Sequence, residues 1–283
     1  MKALAIISQL PSLKELVLKF RADDGPFGDY SPPKYPPEVI LQFLIFKALG
    51  EDYLQFSSPL KSLTIDHFLP LPHPSFGEPT VIRLLGTLTQ LTINTTINCP
   101  AFGMTSPPSD VSAFPIYPTE AFSSSLVSLQ LHHESLRPPT MIAPLTELHL
   151  PRLAHLSIQR HYFSDIREVE NFIARHGETL VELKLFLCPM ATSAEAILCP
   201  KANPARFRRW AQVWDHLRRE LKVLKNLVVS ERNDSNGIGD CSLGRYVDFD
   251  YRFTTAGLGK AEMNDDEDAL KRLQEVVESR IGA

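Results

Sequence analysis

The sequence predicts an α/β solenoid, with short parallel strands on a concave face, helices and loops on a convex face, and a helical cap at the C-terminal end. Three observations carry that prediction. A short pattern, apolar–x–x–apolar–x–apolar, recurs in order along the chain. Segments with helical apolar spacing fall between its copies. After the last copy a polar, glycine-containing stretch gives way to an acidic run and a final amphipathic segment. The expected organisation is therefore a solenoid over residues 1–230, then a polar loop and capping helix over residues 231–283.

The pattern stands at Leu13-Leu16-Leu18, Leu60-Leu63-Ile65, Leu88-Leu91-Ile93 and Leu126-Leu129-Leu131. It returns at Leu153-Leu156-Ile158, Leu180-Leu183-Leu185 and Leu224-Leu227-Val229, with an overlapping copy at Leu145-Leu148-Leu150. Unit starts lie 27 to 47 residues apart. Self-similarity on that scale is the mark of a solenoid, and this pattern is the core of a leucine-rich repeat. The uneven spacing makes it an irregular one. Strand alternation turns positions 4 and 6 of each unit inward and positions 3, 5 and 7 outward. One strand cannot bury its leucines alone, but a stack of strands can. Each leucine or isoleucine so buried contributes about 1.5–3 kcal/mol.

The spacers follow in order. Pro36 and Pro37 open a helix to about Leu49, with Glu38 in its first turn. Pro79 opens a short helix ending near Gly86. Ser164 or Asp165 is the expected cap of a helix through His176, with Ile166, Val169, Phe172 and Ile173 on one face and Gly177 as its stop. Trp210, Val213, Trp214 and Leu217 share one face of a helix before the last strand. Proline-rich stretches at 26–37, 70–79, 100–118 and 138–151 read as loops that lengthen individual repeats. At the end, Asn264 with Glu267 resembles a capping box, so the final helix is expected to start there and run through Ala269, Leu270, Leu273, Val276 and Val277.

The outward positions form the candidate binding strip. They place Glu15, Lys19, Asp66, Gln90, Asn94, Gln130 and His132 on one run of strands, and His155, Gln159, Glu182, Lys184 and Phe186 on the next. The strip is polar without being strongly charged. That suits hydrogen bonding to a protein partner better than capture of nucleic acid. Phe186 and His155 are the expected anchors, since aromatic groups bring the most contact area.

The chain has 29 basic and 33 acidic residues, a net charge of −4, which gives no reason to expect nucleic acid or an anionic membrane as partner. The longest apolar stretch, Val39 to Leu49, is broken by Gln42 and Lys47 and is too short to span a bilayer. The apolar run near Met1 is too short for a secretory core. Cysteines at 99, 188, 199 and 241 form no metal knuckle or dense disulfide framework, so free thiols and a cytoplasmic or nuclear compartment are expected. His132 and His133 are adjacent, so on a strand they face opposite ways. His149, His155 and His161 have no fixed acidic or thiol neighbour and read as surface histidines. Cys188 with His176 is the one conceivable nucleophile–base pair, but position 188 is a packing slot of its repeat. Gly237-Ile238-Gly239 reads as a turn, and residues 265–268 as a helix start. Arg206, Arg208, Arg209, Arg218 and Arg219 read as a solvated helix face. No catalytic, cofactor or metal residue is expected. An enzyme on another α/β fold stays open as an alternative; it requires a deep pocket with converging titratable groups.

In Leu180-Val181-Glu182-Leu183-Lys184-Leu185, in Leu148-His149-Leu150-Pro151-Arg152-Leu153-Ala154-His155-Leu156 and in Trp210-Ala211-Gln212-Val213-Trp214, the chain resembles the degenerate leucine-rich-repeat proteins of filamentous fungi. Most of those are described as F-box proteins. The resemblance covers about residues 10–230. It implies the substrate receptor of a cullin-RING ubiquitin ligase, in which the F-box grips a Skp-type adaptor and the repeats hold the target. Two departures stand out. The asparagine or cysteine slot three residues after the last apolar position holds Cys188, but elsewhere Arg21, Phe68, Thr96, Glu134, His161 and Arg232. No F-box is evident: Tyr35-Pro36-Pro37-Glu38-Val39-Ile40 looks like an F-box opening, yet a repeat strand follows at Leu60. A repeat helix is the other reading of that segment. Adaptor binding is expected only if an F-box precedes this sequence, and a free-standing repeat scaffold remains the alternative.

Overall fold

The computed structural model describes residues 12–20, 37–50, 59–68, 79–95, 125–133, 145, 148–164, 167–192, 208–230, 246–248, 254–255 and 260–281. The protein is α/β, with parallel strands and helices between them. It forms two compact units: Met1–Ser135 with Pro139–Arg152, and Leu136–Pro138 with Leu153–Ala283. The position-230 boundary expected from composition falls inside the second unit. The polar stretch 231–245, with its glycines, and most of the proline-rich loops lie outside the described residues.

In the first unit the order is β1 (Glu15–Lys19), α1 (Pro37–Gly50), β2 (Ser62–Phe68), α2 (Pro79–Leu85), β3 (Gln90–Thr95) and β4 (Ser128–His133). The four strands lie parallel in sequence order. Each starts at the third position of its repeat and pairs position for position, so that Leu16, Leu63, Leu91 and Leu129 form one row and Leu18, Ile65, Ile93 and Leu131 another. Within β2, β3 and β4 these inward residues are buried, whereas in edge strand β1 they are half-buried. Leu60, Leu88 and Leu126, at the first position, are also buried. Helices α1 and α2 pack on each other. Phe46 of α1 meets Phe68 edge to face at 6.4 Å.

The second unit contains β5 (His155–Gln159), α2's successor α3 (Glu168–Arg175), β6 (Glu182–Phe186), β7 (Met190–Thr192), α4 (Trp210–Glu220), β8 (Asn226–Ser230), β9 (Tyr246–Asp248), β10 (Thr254–Thr255) and α5 (Lys260–Ser279). Strands β5, β6 and β8 are parallel in that order, again in register. Strands β7, β9 and β10 form a small second sheet that the repeat pattern did not predict. The overlapping copy at Leu145 is buried but makes no strand.

A common backbone device joins successive repeats. The carbonyl at position 2 of one repeat accepts from the N–H groups at positions 2 and 3 of the next. It occurs at Lys14 with Lys61 and Ser62, at Lys61 with Thr89 and Gln90, and at Thr89 with Val127 and Ser128. It recurs at Ala154 with Val181 and Glu182, and at Val181 with Lys225 and Asn226. Position 8 is left-handed in three units: at Arg160 (φ 58) and Leu187 (φ 50), where the chain turns out of β5 and β6, and at His67 (φ 57), where the pairing of β2 with β3 shifts register.

Helices α1 and α2 start at Pro37 and Pro79 as expected, but α3 and α5 depart from expectation at their starts. Helix α3 begins at Glu168, because Arg167 before it is left-handed (φ 58), and no side chain caps it. Asp165 and Ile166 lie outside the described residues. Its far end is as expected: Gly177 follows His176, and a Cβ there would lie 2.1 Å from the Glu220 carbonyl oxygen. Only glycine allows that approach. Helix α5 starts at Lys260, so Asn264 sits within it and is not its cap. Asp266, in the acidic run, is fully buried against α4. Trp210, Val213, Trp214 and Leu217 form the buried face of α4, as their spacing predicts. The two tryptophan rings stack at 4.6 Å, and Phe163 lies 4.7 Å from Trp210.

Candidate functional site

The outward positions of the strands form one polar face in each unit. In the first unit, Glu15, Val17 and Lys19 of β1 are exposed, Val17 to 54%. Gln90 is exposed, and Asp66, Asn94, Gln130 and His132 are half-buried. Register sets them in rows: Glu15 beside Ser62, Gln90 and Ser128, and Lys19 beside Asp66, Asn94 and His132. Within that last row, Lys19 Nζ stands 3.8 Å from Asp66 Oδ2, and Asn94 Nδ2 donates to Asp66 Oδ1 at 2.5 Å. Partial burial pushes the His132 imidazole below its usual range. His133 points the other way, as adjacency on a strand requires, and its Nδ1 pairs with the Thr95 hydroxyl inside the unit.

In the second unit, register places His155 beside Glu182 and Asn226, Ser157 beside Lys184 and Val228, and Gln159 beside Phe186 and Ser230. Glu182 is the hub. Its carboxylate lies 3.5 Å from His155 Nδ1 and 3.1 Å from Lys184 Nζ, and it accepts from Asn226 Nδ2 at 2.7 Å. Partial burial pushes its carboxyl up, but Lys184, Asn226 and His155 outweigh that and hold it below the usual carboxylate value. Gln159 and Phe186 are half-buried, and His155 is exposed. Ser157 is buried, although its position faces outward. Of the candidate residues, Lys19, Asp66 and Asn94 form one polar cluster and His155, Glu182 and Lys184 another, each carboxylate answered by a cation and an amide; Glu15, Gln90, Gln130, Gln159 and Phe186 share the faces without joining either cluster.

The remaining singled-out residues have structural partners. Cys188 Sγ donates to the carbonyls of Ile158 (3.6 Å) and Phe186 (3.4 Å), and burial pushes its thiol up to about 12. That is the carbonyl-satisfying work of the repeat slot it occupies. In the same slot, Phe68 and His161 are buried, and His161 Nδ1 lies 3.2 Å from the Gln159 carbonyl oxygen. His176 Nδ1 lies 2.7 Å from the Phe172 carbonyl oxygen. Sequence reasoning missed a second set of such groups. Thr87 Oγ1 donates to the Leu60 carbonyl at 3.0 Å, and Ser125 Oγ to the Leu88 carbonyl at 2.6 Å. Both hydroxyls stand just before the first leucine of a repeat and bond the first leucine of the previous one. The signal was there, a Thr or Ser before that leucine in two successive units.

The arginines before and within α4 are not a uniformly solvated face. Arg208 is 10% exposed and pairs with buried Glu170, which also meets His216. Arg209 pairs with Asp265 and Asp266 of α5 at 3.3 and 3.7 Å. Helix packing against α3 and α5 encloses them. Arg206 lies outside the described residues. Among the described residues, no group of three or more His, Cys, Asp or Glu side chains is placed to hold a metal ion, and no helix is long and apolar enough to cross a membrane.

Comparison with protein-family models, with curated proteins and with solved structures finds no match to this chain.

Proposed function

We propose that the chain is a non-enzymatic protein-interaction module, an irregular leucine-rich-repeat solenoid whose outward strand face holds a protein partner. Its most specific form is the substrate-recognition part of an F-box-type ubiquitin ligase receptor. The observation that supports the repeat reading is the backbone device common to the joined repeats, one position-2 carbonyl taking two N–H groups of the next unit. In-register stacking of the repeats accounts for that geometry. The clusters at Asp66 in the first unit and at Glu182 in the second each supply the polar, pre-arranged groups that a protein interface uses; in the second unit His155 stands beside Glu182, and Phe186 follows at the end of β6, as anchors.

A free-standing scaffold with no ubiquitin link is the second reading, and α1 favours it. The segment that looks like an F-box opening leads into a helix whose Phe46 packs on β2 and whose Gln42 Nε2 donates to the His67 carbonyl at 3.4 Å. That is the behaviour of a repeat helix.

The test is affinity capture from a filamentous fungal extract with the wild-type chain and with a Glu182→Lys/Phe186→Ala variant of matched melting temperature. A partner retained by the first and lost by the second supports the strand face as the binding surface. Identical captured sets overturn it. Co-elution of a purified Skp-type adaptor with the chain separates the ligase reading from the scaffold reading.

A further inference from the structure

A groove of about 620 Å³ opens in the second unit, lined from Arg167 before α3, from Arg208 and from α4. We infer that this groove binds an acidic peptide segment of a protein partner, with the guanidinium groups of Arg167 and Arg219 taking its carboxylates. The site is separate from the strand face.

Charge is the first argument. Four arginines, Arg167, Arg208, Arg218 and Arg219, line the groove against two carboxylates, Asp215 and Glu220. The chain as a whole has a net charge of −4, so this is a cationic site on an acidic protein. Pairing within the groove leaves it cationic. Arg208 is neutralised from beneath by Glu170, whose side chain is 1% exposed. Asp215 is shared between Arg218 Nε at 3.5 Å and Arg272 Nη2 at 3.4 Å. Arg167 and Arg219 meet no carboxylate among the described residues. Both are exposed, and guanidinium groups bind carboxylates through paired, charge-assisted hydrogen bonds.

An unmet donor is the second. The Nε atom of Arg208 is buried and has no hydrogen-bond acceptor among the described residues, whereas Arg218 Nε has Asp215 beside it. Arg219 is held in place by its own Nε, which donates to the Asp215 carbonyl at 3.2 Å, so its terminal nitrogens are presented without loss of that anchor. A site rich in donors and poor in acceptors calls for an acceptor-rich ligand.

The lining decides the class of ligand. Every lining side chain is polar or charged; the one aromatic ring, the His216 imidazole, is paired with Glu170, and no Phe, Tyr, Trp or aliphatic residue lines the groove to hold a nucleobase or an acyl chain. A peptide bearing several carboxylates needs neither. The same chemistry already operates within the chain: Arg209, beside Arg208, is met by Asp265 of the acidic run in α5.

The test uses the full chain and fluorescence anisotropy with three labelled probes: hexa-aspartate, hexa-lysine and oligouridylate. The proposal expects hexa-aspartate to bind at low salt, to weaken as salt is raised, and to lose about tenfold or more in affinity in an Arg167→Glu/Arg219→Glu variant. Lys225→Glu, at an exposed residue outside the groove, and Phe186→Ala, on the strand face, should leave binding unchanged. If the double variant melts early, Arg219→Glu alone, at an exposed position, carries the same comparison. Absence of hexa-aspartate binding at low salt, or equal binding by the groove variants, overturns the proposal. Tighter binding of oligouridylate than of hexa-aspartate overturns it too, by making the groove a nucleic-acid site.

Discussion

The carboxylate of Asp266 accepts a hydrogen bond at 2.8 Å from the backbone N–H of Ala211, 55 residues earlier in the chain, and so caps the start of α4. Arg209, the residue before α4, offers no side-chain acceptor of its own, while the Gln212 side chain accepts from the Arg209 N–H at 3.2 Å. The free amides at the start of α4 are thus met partly by a neighbouring helix, and an acid there also suits the helix dipole. Asp266→Ala should cost about 1–3 kcal/mol, read by urea unfolding, because it leaves a buried N–H unmet and a guanidinium less well paired. Asp266→Asn keeps an acceptor and should cost clearly less. Equal losses would show that charge alone, and not the cap, matters.

The strand register predicts opposite fates for neighbours. Leu183 is fully buried, and Lys184 beside it faces outward. Leu183→Asp should unfold the chain or lower its melting temperature steeply, since it buries a charge in an apolar row. Lys184→Asp should leave far more of the melting temperature intact, though it places a second carboxylate near Glu182. Similar drops in both would refute the repeat register.

Gly177 predicts intolerance to a single methyl group. An alanine Cβ there would meet the Glu220 carbonyl oxygen at 2.1 Å, and that oxygen belongs to backbone that cannot rotate away. Gly177→Ala should destabilise by about 1–3 kcal/mol or more as the α3 and α4 ends are pushed apart. A melting temperature at or above wild type would contradict the packing at that point.

His133 predicts an acid-sensitive first unit. Burial, and then the charge of His132, push its imidazole down to about 4, whereas in the unfolded chain it titrates at about 6.5. Between those values the unfolded state binds a proton that the folded state does not. Stability is therefore full above about 6.5 and falls as pH is lowered toward about 4. His133→Gln removes the titrating group and should flatten that part of a stability-against-pH curve. An unchanged slope in the variant would assign the acid sensitivity elsewhere.

What the sequence made legible was what the repeat itself imposes. Leu63, Leu91, Leu129, Leu156 and Leu183 are inward because alternation in a strand leaves no other choice, and the outward residues follow from the same rule. The face of α4 was equally plain from the spacing of its tryptophans. Features set by distant partners were not. Asp266 looked like part of a helix start because its true partner, Ala211, is far away in sequence. Arg208 and Arg209 looked solvated because Glu170 and Asp265 are likewise remote. The start of α3 was displaced by the left-handed Arg167, a conformation no local residue type announces. The clusters around Asp66 and Glu182 needed the register between strands, which a list of outward positions does not contain.

The stacked pair Trp210 and Trp214 has a spectroscopic consequence. They are the chain's 2 tryptophans, and both lie in the interior of the second unit. Emission excited at the red edge, where tyrosine is dark, therefore reports on that unit alone, while circular dichroism samples both. Denaturation followed by the two signals gives coincident curves if the units melt together and separated curves if they melt apart.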